Sequence, residues 1–441
     1  GGASSYISWT FRKAPKFFSQ ATATVTGGTD ATVSFSDLAT LGMVAVKRTD
    51  STGSWYVWHR SLTAGKLLYL EQTAAEATLG HITVSGTTVT LEGGVIANGD
   101  YIVYAWAHDT ATDGLIQCGT FASGGTGQAT ISLGWEPQYI LYKRTDSTGN
   151  WQILDTSRGW SMTASDAELL ANTTAAENLT TYGNPTASGF FYDGLISANI
   201  VYLAIRRPNK PPTVGTQVYN AIARTGTGAV ATVTGVGFAP DLVATMNRSG
   251  VAGNGFSWFD RLRGPLLRIT SKDSTIEGSP AGTLTSFGMD GVSVGADGPE
   301  YINSSRESSI INHFFKRAPG VFDVVCYTGT GVAKTEAHGL GVVPELMIVK
   351  ARNSTANWPV NIGTTTGYLE LNTTQQSGTA ASYWNSTTPT SSVFSLGNSS
   401  VTNGSAVTYV AYLFATKAGI SKVGSYTGNA TTNQIDCGFT T

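Results

Sequence analysis

Lys47-Arg48-Thr49-Asp50-Ser51-Thr52-Gly53-Ser54-Trp55 returns 96 residues later as Lys143-Arg144-Thr145-Asp146-Ser147-Thr148-Gly149-Asn150-Trp151. An aspartate that opens a tight turn accepts hydrogen bonds from amides two residues on. A glycine three residues later takes the positive φ that a Cβ resists, and the tryptophan re-enters a strand with a large ring to bury. Asp50/Gly53/Trp55 and Asp146/Gly149/Trp151 therefore read as a hairpin followed by a core anchor. Looser copies are Asn247-Arg248-Ser249-Gly250 ahead of Trp258, and Lys350-Ala351-Arg352-Asn353-Ser354-Thr355 ahead of Trp358. Calcium held by Asp50 and Asp146 is a competing reading. Lys47, Arg48, Lys143 and Arg144 oppose it, because they set positive charge beside the cation. Contact with a sugar by the exposed turn face is a third.

Two more landmarks keep the same period of about one hundred residues. An apolar run reads Tyr6–Phe11, Tyr101–Trp106, Ile200–Ile205, Ile310–Phe315 and Tyr409–Phe414, and the first and fourth are followed by Arg12-Lys13-Ala14-Pro15 and Lys316-Arg317-Ala318-Pro319. A Gly-x-x-Pro precedes the strand that enters the turn, at Gly134/Pro137, Gly237/Pro240 and Gly341/Pro344; the first unit has only Gly42 nearby. Repeats at a fixed period are the mark of a modular array. The units run 12–107, 108–208, 209–316 and 317–415. Residues 1–11 are the closing strand of a preceding unit. Residues 416–441 begin a fifth, since Ser421–Gly428 copies the opening Phe322–Gly329. Units cut at both ends lead us to expect a segment of a longer polypeptide.

Within each unit the apolar period is two. Asp323–Tyr327, Leu346–Lys350, Tyr368–Leu371 and Ser392–Leu396 are short β-branched or aromatic runs between Gly, Asn, Ser and Thr clusters. Equivalents of the third are Leu67–Glu71 and Leu266–Thr270. Six or seven such runs per unit predict an all-β chain, a tandem array of about 100-residue antiparallel β-sandwich domains. A parallel sheet would need crossover helices. Asp166–Ala176 alone looks helical, and it aligns with strand-like runs elsewhere.

Composition narrows function by exclusion. Gly, Ser and Thr supply about 35% of the 441 residues and charged residues only 13%, against about 25% in ordinary soluble domains. With 27 basic and 29 acidic residues there is no clustered positive charge for nucleic acid. No window approaches the apolar length of a membrane-spanning helix. Cys118, Cys326 and Cys437 lie in no CxxC, and the histidines form no HExxH, so no metal and no cofactor are expected. Cys118 and Cys326 sit in equivalent opening strands, as small buried hydrophobes do. No nucleophile elbow, phosphate loop or dinucleotide fingerprint is present. The thinly spread carboxylates offer no glycosidase pair. We expect no enzyme and no catalytic residues. Trp55, Trp151, Trp258 and Trp358 read as anchors, with Pro137, Pro240 and Pro344 as turn residues. The aromatics off that register, Trp135, Trp160, Tyr182, Tyr383 and Trp384, are the candidates for stacking on a sugar.

Phe322–Gly329, His338-Gly339-Leu340-Gly341-Val342-Val343-Pro344-Glu345-Leu346-Met347-Ile348-Val349-Lys350 and Tyr409–Phe414 together resemble the repeated β-domains of tail-fibre and other virion proteins from marine and cyanobacterial bacteriophages. The third unit departs from the pattern, with Asn247–Gly250 in place of the basic turn and Val251–Gly255 lengthening it. The resemblance implies a non-enzymatic virion component, a fibre or appendage assembled in the host cytoplasm and displayed on the particle. It implies partners among other tail proteins, sister chains in a homotrimer, and host surface polysaccharide. A cell-surface adhesin or a capsid-decorating protein is the alternative, with a polysaccharide-degrading tailspike behind both. Modules that each close their own core and touch mainly their neighbours would form a spacer.

Overall fold

The structure is a computed structural model that describes residues 7–162, 166–194, 197–248, 255–280, 282–296, 302–305 and 309–439. Tyr6, Ser249-Gly250 and Val251–Asn254, which the sequence reading used, lie outside these residues.

The chain is all-β, built from antiparallel sandwiches. In the first, the large sheet runs Phe18–Val25, Gly99–Ala107, Leu41–Arg48, Trp55–His59, Lys66–Tyr69, Ala77–Thr78, and the small one Ala31–Ser34, Thr88–Leu91, Ile82–Ser85. The second repeats the large sheet as Ile116–Ser123, Ala198–Arg206, Pro137–Arg144, Trp151–Asp155, Asp166–Leu170, Asn178–Thr180. The third has Tyr219–Arg224, Ile310–Phe315, Leu242–Asn247, Ser257–Asp260, Ile269–Thr270, and the fourth Phe322–Thr328, Thr408–Phe414, Leu346–Ala351, Pro359–Asn361, Gly367–Glu370, Gly378–Thr379. In every copy the opening strand pairs with the closing one, so each sandwich is sealed only when its whole length is present. The helical look of Asp166–Ala176 does not materialise: Asp166–Leu170 is a strand, because Leu169 and Leu170 pair with Ile153 and Gln152.

The chain divides into two compact units. One holds residues 1–155, 166–183 and 189–207, the other 156–165, 184–188 and 208–441. Within the first, the large sheets of sandwiches one and two face each other. Tyr142 turns inward onto Tyr192 of its own small sheet, with ring centroids 5.7 Å apart. Its neighbours Tyr139 and Leu141 join a core with Val44, Val57 and Ala105 of the first sandwich. The second unit repeats the arrangement. Met347 and Val349 pack on Phe394 and Leu396 of their own small sheet, while Ile348 between them joins Leu242 and Ile269 of the third sandwich. Alternation sends successive side chains to opposite faces, and here both faces are covered. Sandwiches that each close alone are therefore not what forms. They come as pairs with a shared core.

The repeated turn owes its form to other contacts than expected. Gly53 and Gly149 are not among the residues with positive φ. A Cβ at either would meet the Cβ of Arg48 or Arg144 at 3.3 Å, so these glycines lie across an arginine stem. Asp50 and Asp146 are held by those same arginines, with Nε–Oδ1 distances of 2.6 Å in both copies. Each arginine lowers the pKa of its aspartate. The left-handed conformation falls instead on Gly134, Gly237 and Gly341, at φ 78°, 87° and 74°. Pro137 opens its strand at a register shift, where a missing N–H does no harm. The Pro240 carbonyl accepts from Arg261, and Pro344 is buried.

Residues 7–13 form no strand, and neither do residues 422–439. A strand needs a neighbour for its backbone groups, and neither segment has one among the described residues.

Candidate functional site

Ladder register aligns the four sandwiches residue by residue. Ala45, Leu141, Ala244 and Ile348 oppose Tyr104, Leu203, His313 and Tyr412. Lys47 and Lys143 oppose Trp55 and Trp151. In the third sandwich Met246 takes the lysine position, opposite Ile311. Trp258 opposes Ala244, where the first two sandwiches have Val57 and Ile153. Trp258 is thus no counterpart of the other anchors but stands two residues along, which a count of spacings did not reveal.

The anchors hold sandwiches to each other. Trp151 Nε1 donates to Tyr69 O at 2.8 Å and Lys143 Nζ to Thr73 O at 3.1 Å, both across the first pair. Trp358 Nε1 donates to Asp273 O at 3.2 Å and Lys350 Nζ to Ser274 O at 3.1 Å, across the second. Trp151, Trp358 and both lysines are buried, whereas Trp55 and Trp258 are only half-buried. Burial lowers each lysine pKa to about 8.

The second pair is closed at its centre by rings and ions. Trp258 packs 5.7 Å from Trp358 and 5.2 Å from Tyr412. The Tyr412 hydroxyl donates to Asp260 Oδ2 at 2.8 Å and accepts from Arg263 Nη2 at 3.3 Å. Arg263 and Asp260 are fully buried and 2.5 Å apart. Arg263 reaches Glu277, which also binds Arg352. Each buried charge is therefore compensated.

The first pair lacks both rings. Val57 stands where Trp258 does and Leu203 where Tyr412 does. His59 occupies the Asp260 position, accepting Ser61 N–H on Nδ1 and giving Nε2–H to Tyr202 O at 3.0 Å. Burial depresses its pKa to about 4, so the ring is neutral. Between these sheets lies a cavity of about 460 Å³. Phe18, Met43, Ala45, Trp55, Tyr104 and Trp106 line it from the first sandwich, and Tyr139, Leu141, Ile153 and Leu203 from the second. The irregular segment 7–13 sets Trp9 and Phe11 against it. Trp9 lies 6.1 Å from Tyr139 and donates to Asp155 Oδ2 at 3.3 Å, and Phe11 meets Trp106 edge-on at 5.8 Å. Trp55 stacks on Tyr104 at 6.0 Å. Among the described residues, no charged side chain lines the cavity. Thr10 and Gln20 are its polar lining, and the buried Trp106 Nε1 has no hydrogen-bond partner.

The aromatics expected at the surface fare differently. Trp135, Trp160 and Trp384 are 4%, 1% and 1% exposed, which corrects their assignment as sugar-stacking candidates. Trp384, for example, points into its own core and donates to Gly367 O. Tyr182 and Tyr383 remain half-buried, and neither lines the cavity. Cys118 is buried under Gly42, where a Cβ would come within 2.6 Å of its sulfur. Burial pushes the Cys326 thiol up to about 12. A second concavity, of about 610 Å³, is lined by small and polar residues of the fourth sandwich, among them Ser382, Asn385, Ser386 and Asn398. No cluster of metal-ligating side chains occurs among the described residues, and no helix among them is long and apolar enough to cross a membrane.

Residues 4–190 and 215–440 match a family described as "Domain of unknown function (DUF7483)". The chain belongs to this family. The match takes in the first, third and fourth sandwiches and the second as far as residue 190, the cavity lining from Trp9 to Ile153 included. No curated protein matches the chain.

Proposed function

We propose that this chain is a non-enzymatic structural component of a phage virion, a tail fibre or appendage in which paired sandwiches act as a spacer and contact host surface glycan. The observation that carries this reading is the duplicated interlock. In both pairs a buried lysine and tryptophan are received by backbone carbonyls of the preceding sandwich. Such an interlock suits a load-bearing spacer, because side-chain donors meet main-chain carbonyls away from solvent. The sequence resemblance of Phe322–Gly329 and His338–Lys350 to virion β-domains supports the same reading. Low charge and abundant hydroxyls suit a surface that lies beside sister chains without large repulsion. In this reading three chains assemble, and weak glycan contacts gain from the number of copies.

Immunogold electron microscopy of intact particles, with antibody raised against this chain, tests the proposal. Label along a tail appendage is expected. Label on a bacterial envelope would replace it with a cell-surface adhesin, and label over the head with a capsid-decorating protein. Shortening of host polysaccharide by the purified chain would overturn the non-enzymatic part.

A further inference from the structure

We propose that the cavity between the first two sandwiches is a binding site for a small, neutral, ring-bearing molecule. The second pair of the same chain indicates what fits. There the ladder position of Leu203 holds the phenol ring of Tyr412, whose centroid lies 5.2 Å from that of the Trp258 indole. The first pair has Leu203 and Val57 at those positions, and Leu203 lines the cavity. A place that one pair fills with a flat ring is left, in the other, to a guest of the same shape.

The chemistry of the walls agrees. Ligand sites are mostly apolar concavities of roughly 300–1,000 Å³ with a few polar groups that orient the guest, and this one measures about 460 Å³. Without a charged side chain in the lining, an ionic guest would forfeit its hydration uncompensated. Aromatic walls favour a planar guest through stacked and edge-on contacts. This site stands apart from the virion reading, and neither depends on the other.

Titrating the full chain into N-phenyl-1-naphthylamine, a neutral fluorophore with three aromatic rings, tests the proposal. Saturable enhancement at one site per chain is expected, reversed by 2-naphthol at lower concentration than by 1-decanol. Leu203→Tyr, which puts the ring of the second pair into the first, is expected to weaken binding by about tenfold or more. Trp9→Ala removes a wall and is expected to weaken it also, with thermal denaturation showing that the variant folds. Tyr426→Ser, at a residue 70% exposed, serves as the unaltered control. Absence of saturable binding, undiminished binding in both folded variants, or preferential displacement by decanol would overturn the assignment.

Discussion

His59 is the residue whose chemistry reports on packing most directly. Its neutral ring bridges Ser61 N–H and Tyr202 O inside the shared core. The folded pKa of about 4 lies below the ordinary 6.5, so the unfolded chain takes up a proton first as pH falls. Stability is fully present above about pH 6.5 and is lost as pH drops toward 4, by about 3 kcal/mol. Urea unfolding at pH 7 and pH 4.5 checks this: the loss of stability is expected to shrink in His59→Gln. Glycines offer a second comparison. Gly134 has φ 78° and open space around its Cβ position, whereas Gly53 has ordinary φ and an arginine stem at 3.3 Å. Gly134→Ala should cost about 1–2 kcal/mol, and Gly53→Ala should cost less because alanine adopts its ordinary φ without strain. Equal losses in thermal denaturation would contradict that order.

Among the elements, the central strands deserve the closest comparison. Tyr139-Ile140-Leu141-Tyr142 and Leu346-Met347-Ile348-Val349 are apolar without interruption, and strands buried on both faces read this way. That signal for a covered outer face was legible. Counting apolar runs for strand number passed over it, because one buried face already accounts for a sandwich. Turn spacing misled in the third sandwich, where Trp258 falls two residues beyond the anchor position; only ladder register separates the two. Replacing Tyr412 by Leu203 and Asp260 by His59 also changes what holds the sheets together, from a charged network to a neutral ring and a cavity. Arg263→Met leaves Asp260 buried without its cation, so a loss of about 3–5 kcal/mol is expected. Calorimetry checks this, and a loss below 1 kcal/mol would mean that Tyr412 alone compensates Asp260.

At the scale of the whole molecule, pairing sets cooperativity. Val44, Val57 and Ala105 share one core with Tyr139, Leu141 and Val201, so the first sandwich cannot unfold without uncovering the second. The same holds for Leu242 and Ile269 against Ile348 and Tyr412. Calorimetric unfolding is expected to resolve no more than two transitions. Four separate ones would mean that the shared cores contribute little.

The alternation of apolar and polar residues, the glycine and asparagine punctuation and the hundred-residue period were enough to determine an all-β chain of antiparallel sandwiches, since strand geometry and turn chemistry act over a few neighbouring residues. Which sheet face meets which, why Trp151 is buried and Trp55 is not, and where a cavity opens were decided only by tertiary structure. Those outcomes depend on side chains about one hundred residues apart meeting across a shared core, and a local pattern carries the apolar character of a face but not the shape of whatever comes to cover it.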